Sequence, residues 1–212
     1  MNKEIKSEIL SITSSISEVV LDSFLYGIFK DITVVGTAIS IINLRKNISD
    51  QLLLQKILSF LVYLNLKTEK EIEAFKAKYL EMGDQNLIGG KILNVLNRID
   101  EDIKTKWLAR AFKLYIERQI ERTDFTKICS IIGNSYTDDV QLLLKLELQG
   151  TITNNNNLVP KDVMDHLFSI GLLEVAGFDG GTARVEDGGL MYRVNKFGRI
   201  FYKNILTDNL SS

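Results

Sequence analysis

Phe24 to Leu44 reads FLYGIFKDITVVGTAISIINL, an apolar run punctuated by Gly27 and Gly36, with the charged pair Lys30–Asp31 inside it. The run is too apolar for an ordinary surface helix. It is also too interrupted for a simple membrane span, because only the thirteen residues Ile32 to Leu44 lie between Asp31 and the next charge, Arg45. A helix crossing a bilayer needs about 20 consecutive apolar residues. A charge near the bilayer centre costs at least ~2.5 kcal/mol on insertion scales. The segment therefore does not span as one lipid-exposed helix. Three placements stay open: along a membrane interface, inserted as an oligomer with Lys30 and Asp31 facing a water-filled lumen, or folded into a core where Gly27 and Gly36 permit close packing.

The flanking sequence is helical. Ile5, Ile9, Ile12, Ile16 and Val19 recur at steps of four and three, a narrow apolar stripe suited to another helix or another copy of itself. Residues 48–64 predict a helix that is apolar on most sides, as helices in cores or membranes are. Thr68 with Glu71 predicts a capping box, and Gly83 the end of that helix. Asp84 is expected to cap a helix through Asn97. Asp100 is expected to cap another, with Ile103, Trp107, Ala111 and Leu114 on its inner face. Thr123 or Asp124 opens a helix through Ile132, and Thr137 or Asp138 opens one ending at Gly150. One proline in 212 residues, Pro160, fits a helical protein without extended linkers.

Composition shifts at TITNNNN, where a domain boundary is expected at Thr151. Beyond it come a short helix opened by Pro160, a strand over Leu172–Phe178, a glycine- and acid-rich hairpin, a strand over Leu190–Val194, and a last helix capped by Asn195 and running to about Leu206. The pieces HLFSIGLLE and YRVNKFGRIFYKNI resemble the end of a winged-helix module. The fold expected is mainly α, a multi-helix bundle with a small C-terminal winged-helix-like α/β module. Its parts are residues 1–66 (membrane or oligomerisation), 67–150 (bundle) and 151–212 (winged-helix-like).

Apolar residues make up 45% of the chain and charged residues 25%, enough for a buried core. The net charge of −1 gives no global attraction to nucleic acid or acidic membranes. The single cysteine, Cys129, lies in the apolar run KICSII and reads as a buried thiol. Alternating Lys3, Glu4, Lys6 and Glu8 leave no uninterrupted apolar leader, so a cytoplasmic start is expected, with association with the inner membrane if residues 24–44 act there.

Catalytic patterns are absent. His166 has no cysteine or carboxylate at metal-ligand spacing, and neither a P-loop nor a GxGxxG fingerprint occurs. No enzyme, cofactor or metal is expected. Lys106, Arg110 and Lys113, spaced four and three, share one face of their helix, opposite Ile103 and Trp107. Such a face reads as a solvated surface relieved by nearby glutamates, or as an anion site for a polyphosphate or single-stranded nucleic acid. Duplex DNA is disfavoured: residues 151–212 hold six Lys/Arg against seven Asp/Glu, with Asp162 and Asp165 on the candidate recognition helix. Protein contacts suit that module better.

GIFKDITVVGT, the apolar helix after it, KWLARAFKLYI and DFTKICSII resemble a group of small bacterial proteins whose middle helices are similar to tellurite-resistance TerB-like bundles. Such proteins resemble membrane-acting effectors of anti-phage defence, including the channel-type partner of a nucleotidyltransferase in the Hailong system. The resemblance covers residues 20 to 145 approximately. It implies a homo-oligomeric channel-forming or membrane-disrupting effector controlled by a nucleotide or oligonucleotide. Phe24, Gly27, Lys30, Asp31 and Gly36 would be the membrane or pore residues, and Lys106, Arg110 and Lys113 would hold the ligand. The TerB acidic metal-binding pattern is not matched, so no metal role carries over. The alternative expectation is a soluble winged-helix regulator or adaptor that binds DNA or a partner protein.

Overall fold

A computed structural model describes residues 48–154, 158–180 and 188–207. The chain divides into two compact units, 1–129 and 130–212. The first helix-forming stripe and the Phe24–Leu44 run lie outside the described residues, as does the hairpin tip with Arg184, Glu186 and Asp187.

In the first unit, α1 (Ile48–Leu64) is apolar on most sides because its C-terminal half is core: Ile57, Phe60, Leu61 and Leu64 are buried. It ends on Asn65, whose φ of 55° is a left-handed conformation that asparagine tolerates. Thr68 and Glu71 form the expected capping box of α2 (Glu69–Glu81), and Gly83, at φ 75°, follows its end. Next come α3 (Gln85–Arg98), α4 (Asp102–Ile116) and α5 (Arg122–Asn134), the last of which runs across the division between the units.

α4 is the central helix, packing on both α1 and α2. Its Phe112 ring is the hub of an aromatic core, with ring centroids at 5.8 Å from Phe60, 5.5 Å from Phe75, 5.3 Å from Tyr79 and 5.9 Å from Phe125. Aromatic pairs of this kind add about 0.5–1.5 kcal/mol each beyond area burial.

Two expected caps are used otherwise. Asp84 precedes α3 but makes no side-chain cap, and Glu101 rather than Asp100 stands at the N-cap of α4. Asp100 instead accepts from Lys104 Nζ at 3.1 Å, a bond that holds its carboxyl below the usual range.

The second unit begins within α5. The single helix expected from Thr137 to Gly150 is two, α6 (Thr137–Gln141) and α7 (Leu143–Gln149), separated at Leu142. α7 packs on β1 (Thr151–Thr153), on β3 (Gly189–Val194) and on the C-terminal turn, so residues 137–150 group with the sheet, N-terminal to the Thr151 boundary that composition suggests. α8 (Lys161–Ser169) follows Pro160, which occupies its N-cap position. β2 (Leu173–Asp179), β3 and β1 form one antiparallel sheet in the order β1-β3-β2, with a bulge between Val175 and Gly177. α9 (Lys196–Ile200) continues into a π-helical turn, Phe201–Leu206, that buries Phe201 and Ile205.

Asn195 joins α9 to the sheet. Its Oδ1 accepts from the N–H groups of Phe197 and Gly198, as the sequence predicts for a cap. Its Nδ2 donates to the carbonyls of Gly171 and Leu173 at 2.9 and 3.1 Å. The fold of the described residues is thus mainly helical with one small antiparallel sheet.

Candidate functional site

α4 is buried on nearly every side, through Trp107, Leu108, Ala109, Ala111, Phe112, Leu114, Tyr115 and Ile116. Lys106, Arg110 and Lys113 are all half-buried and share its remaining, solvent-facing strip. Trp107 is buried, yet it precedes Arg110 by three and so flanks the strip rather than lying opposite it, and Ile103 is a second correction. At 36% exposure Ile103 belongs to the cationic strip rather than the inner face, because it precedes Lys106 by three and Arg110 by seven, the spacing of one helix face. Lys106 and Arg110 each already engage a neighbouring group. Lys104 turns away from the strip, buried against Asp100 at 3.1 Å and Glu101 at 3.3 Å.

A second charged feature of the first unit has no sequence signature. A cleft of about 410 Å³ is lined by Glu81, Met82, Asp84, Tyr115, Arg118, Ile120, Glu121 and Arg122. Asp84 reaches into it in place of capping α3. Both of its carboxylate oxygens lie within hydrogen-bond distance of the Tyr115 hydroxyl, and Arg122 Nε is 3.8 Å from Oδ2. Burial, and then the hydrogen bond to Asp84, push the Tyr115 phenol well above its usual range, so it remains a donor. Tyr79, beneath, donates to the Gln85 carbonyl at 2.8 Å.

Arg118 adopts φ 58° one residue beyond the C-cap of α4. Its N–H donates to the Tyr115 carbonyl and that of Gln119 to the Leu114 carbonyl. This is a Schellman closure, in which glycine is the usual residue at the left-handed position. Sequence spacing could not reveal the cleft, since Asp84 and Tyr115 are 31 positions apart. The local cue, an Arg where a helix needs a left-handed stop, is visible only once the helix end is known.

In the second unit, His166 has both ring nitrogens engaged, Nδ1 at 2.6 Å from Asp139 Oδ2 and Nε2 at 3.3 Å from the Asn134 carbonyl. The Tyr136 ring lies 4.7 Å from the imidazole. Among the described residues no group of three or more His, Cys, Asp or Glu could hold a metal ion.

The hairpin presents an apolar face. Phe178 and Leu190 are directly paired across β2 and β3, and Val175 is paired with Tyr192. Phe168 of α8 lies over Tyr192 at 5.3 Å between ring centroids. The inner end of this strip is buried at Tyr192, whereas Val175, Leu190 and Phe168 are exposed and Phe178 is 72% exposed.

Phe24, Gly27, Lys30, Asp31 and Gly36 lie outside the described residues. Among the described residues no helix is long and apolar enough to cross a membrane. No protein-family model, curated protein or solved structure matches the chain.

Proposed function

We propose that this chain is a non-catalytic adaptor or regulator whose C-terminal unit docks a partner protein through the face formed by Val175, Phe178 and Leu190. The observation that carries this reading is the Phe178–Leu190 pair: two large apolar side chains directly opposite one another, both in water. An exposed aromatic on a paired strand is the kind of anchor that dominates protein interfaces. The strand order β1-β3-β2, with α8 before the hairpin and α9 after it, supports a winged-helix-like use of the unit. Its excess of acid over base favours a protein over duplex DNA.

The test replaces Phe178 and Leu190 by Glu in the full chain. Both side chains are exposed, so the variant should keep its thermal midpoint while losing its complex with the cellular partner recovered by cross-linking at position 178. A variant that keeps the complex sinks the reading, as does salt-dependent binding of duplex DNA by the unaltered protein.

A membrane-acting, oligomeric effector of anti-phage defence, governed by an anionic nucleotide, is the second reading. The shared strip of Lys106, Arg110 and Lys113 favours it. Its test is binding of oligonucleotides to the full chain and to Lys113→Glu, together with membrane potential in expressing cells. Unchanged potential and equal binding by both proteins reject it.

A further inference from the structure

We propose that the cleft at Asp84, Arg118 and Arg122 binds a small zwitterion, a compact molecule carrying one oxyanion and one ammonium group in the manner of an amino acid. The lining alternates in sign, with Arg118 and Arg122 among Glu81, Asp84 and Glu121. The guanidinium groups meet carboxylates only at ion-pair distance, Arg118 at 4.0 Å from Glu81 and Arg122 at 3.8 Å from Asp84. Those separations exceed hydrogen-bond length, so neither fork of N–H donors is spent on its carboxylate. A planar fork is the group best matched to a single carboxylate or phosphate.

The charge pattern selects the ligand class. A polyanion entering here meets three carboxylates, and a simple cation meets two guanidinium groups. A zwitterion can place its oxyanion on Arg118 and Arg122 and its ammonium toward Glu121 or the remaining lone pairs of Asp84, which accept only the Tyr115 proton. Met82 and Ile120 offer apolar surface for a side chain. A volume of about 410 Å³ lies within the range of small-molecule sites.

Two local sacrifices converge on the same cleft. Arg118 holds a left-handed backbone, which is strained for an L-residue with a side chain. Asp84 leaves α3 without the side-chain cap that an Asp at this position usually supplies. The placement of Asp84 does nothing for α3, and the Schellman closure of α4 carries an Arg where glycine would be unstrained; departures of this sort gather where a structure is shaped for binding.

The experiment is ligand-observed NMR on the full chain with pools of the twenty L-amino acids, with acetate, inorganic phosphate and ethylamine as single-charge controls. One or more amino acids should bind at millimolar concentration while the controls do not. Arg122→Gln should weaken that binding about tenfold. Arg118→Gly should weaken it similarly while raising the thermal midpoint, which separates lost binding from lost folding. Silence from every amino acid overturns the proposal. So does binding of acetate or phosphate as tight as that of the best amino acid, or amino-acid binding that both variants leave unchanged.

Discussion

The Tyr115 hydroxyl lies 2.7 Å from Oδ1 and 2.8 Å from Oδ2 of Asp84, its one proton shared between them. The contact ties the last turn of α4 to the entry of α3 across 31 positions of sequence. Tyr115 is buried and its ring stacks on Phe125 at 5.3 Å, so the hydroxyl is placed by packing and Asp84 comes to it.

Tyr115→Phe preserves that packing and leaves the Asp84 carboxylate, 18% exposed, without its nearest donor. Hydrogen bonds to charged groups contribute about 1.5–3 kcal/mol, and a loss of that size is expected. Trp107, the one tryptophan, lies in the same unit and reports urea unfolding by fluorescence. An unchanged urea midpoint would mean that water replaces the hydroxyl at no cost.

Gly198 is required by close approach. A Cβ there would collide with the Leu172 carbonyl oxygen and crowd Val194 Cγ1. Gly198→Ala should therefore destabilise the second unit by about 1–3 kcal/mol, the usual cost of overpacking. Amide exchange in β2 and β3 should quicken accordingly, and protection equal to that of the unaltered chain would refute the clash.

Asn195→Asp isolates the two halves of the Asn195 staple. The carboxylate still accepts from Phe197 and Gly198, but it loses both donors and faces the Gly171 and Leu173 carbonyls. Asp is normally as good a cap as Asn. Here Asn195→Asp should cost about 1–3 kcal/mol at neutral pH, the penalty for unpaired buried acceptors. Thermal melts of the two proteins decide it, equal midpoints meaning that capping alone matters.

Glu71 predicts an acid-sensitive start to α2. Its carboxylate accepts from the backbone N–H groups of Lys67 at 2.8 Å and Thr68 at 3.0 Å, and these bonds, Lys67 foremost, lower its pKa. A lowered folded-state pKa stabilises fully above the unfolded value and is lost as pH falls through the folded one. Amide exchange at Lys67 and Thr68 should gain an acid-side opening step on descending through the carboxylate range. In Glu71→Gln that step should vanish, and its persistence there would assign it to another group.

Cys129 should be inert in the folded protein. Burial pushes its thiol up to about 12, with the nearby Lys91 charge opposing only in part, so the reactive thiolate is scarce at neutral pH. Reaction with a disulfide reagent should follow unfolding of the first unit and speed up with urea. Stoichiometric labelling within the mixing time in buffer would contradict the buried placement.

How much was legible beforehand depends on the range of the interaction. The Thr68–Glu71 box, the stop at Gly83 and the Asn195 cap each involve partners within a few residues, so pattern alone found them. The faces of α4 are half legible: the spacing of Lys106, Arg110 and Lys113 puts them together, while the apolarity of Ile103 points it inward although its spacing puts it with the cations. The break at Leu142 interrupts a pattern that reads as one continuous helix, and packing of α7 on β1 and β3 accompanies it.

The sequence by itself determined a mainly helical chain with a C-terminal hairpin, because period, caps and glycine stops are local properties of backbone and side chain. Only the tertiary structure decided that Asp84 serves Tyr115 rather than α3, that Arg118 closes a helix in a left-handed turn beside Arg122, and that Phe178 and Leu190 meet in water. The placements of Asp84 and of the Phe178–Leu190 pair are set by packing that brings a partner farther along the chain into contact, whereas the Arg118 turn is closed by carbonyls three and five residues back and depends on where packing ends α4.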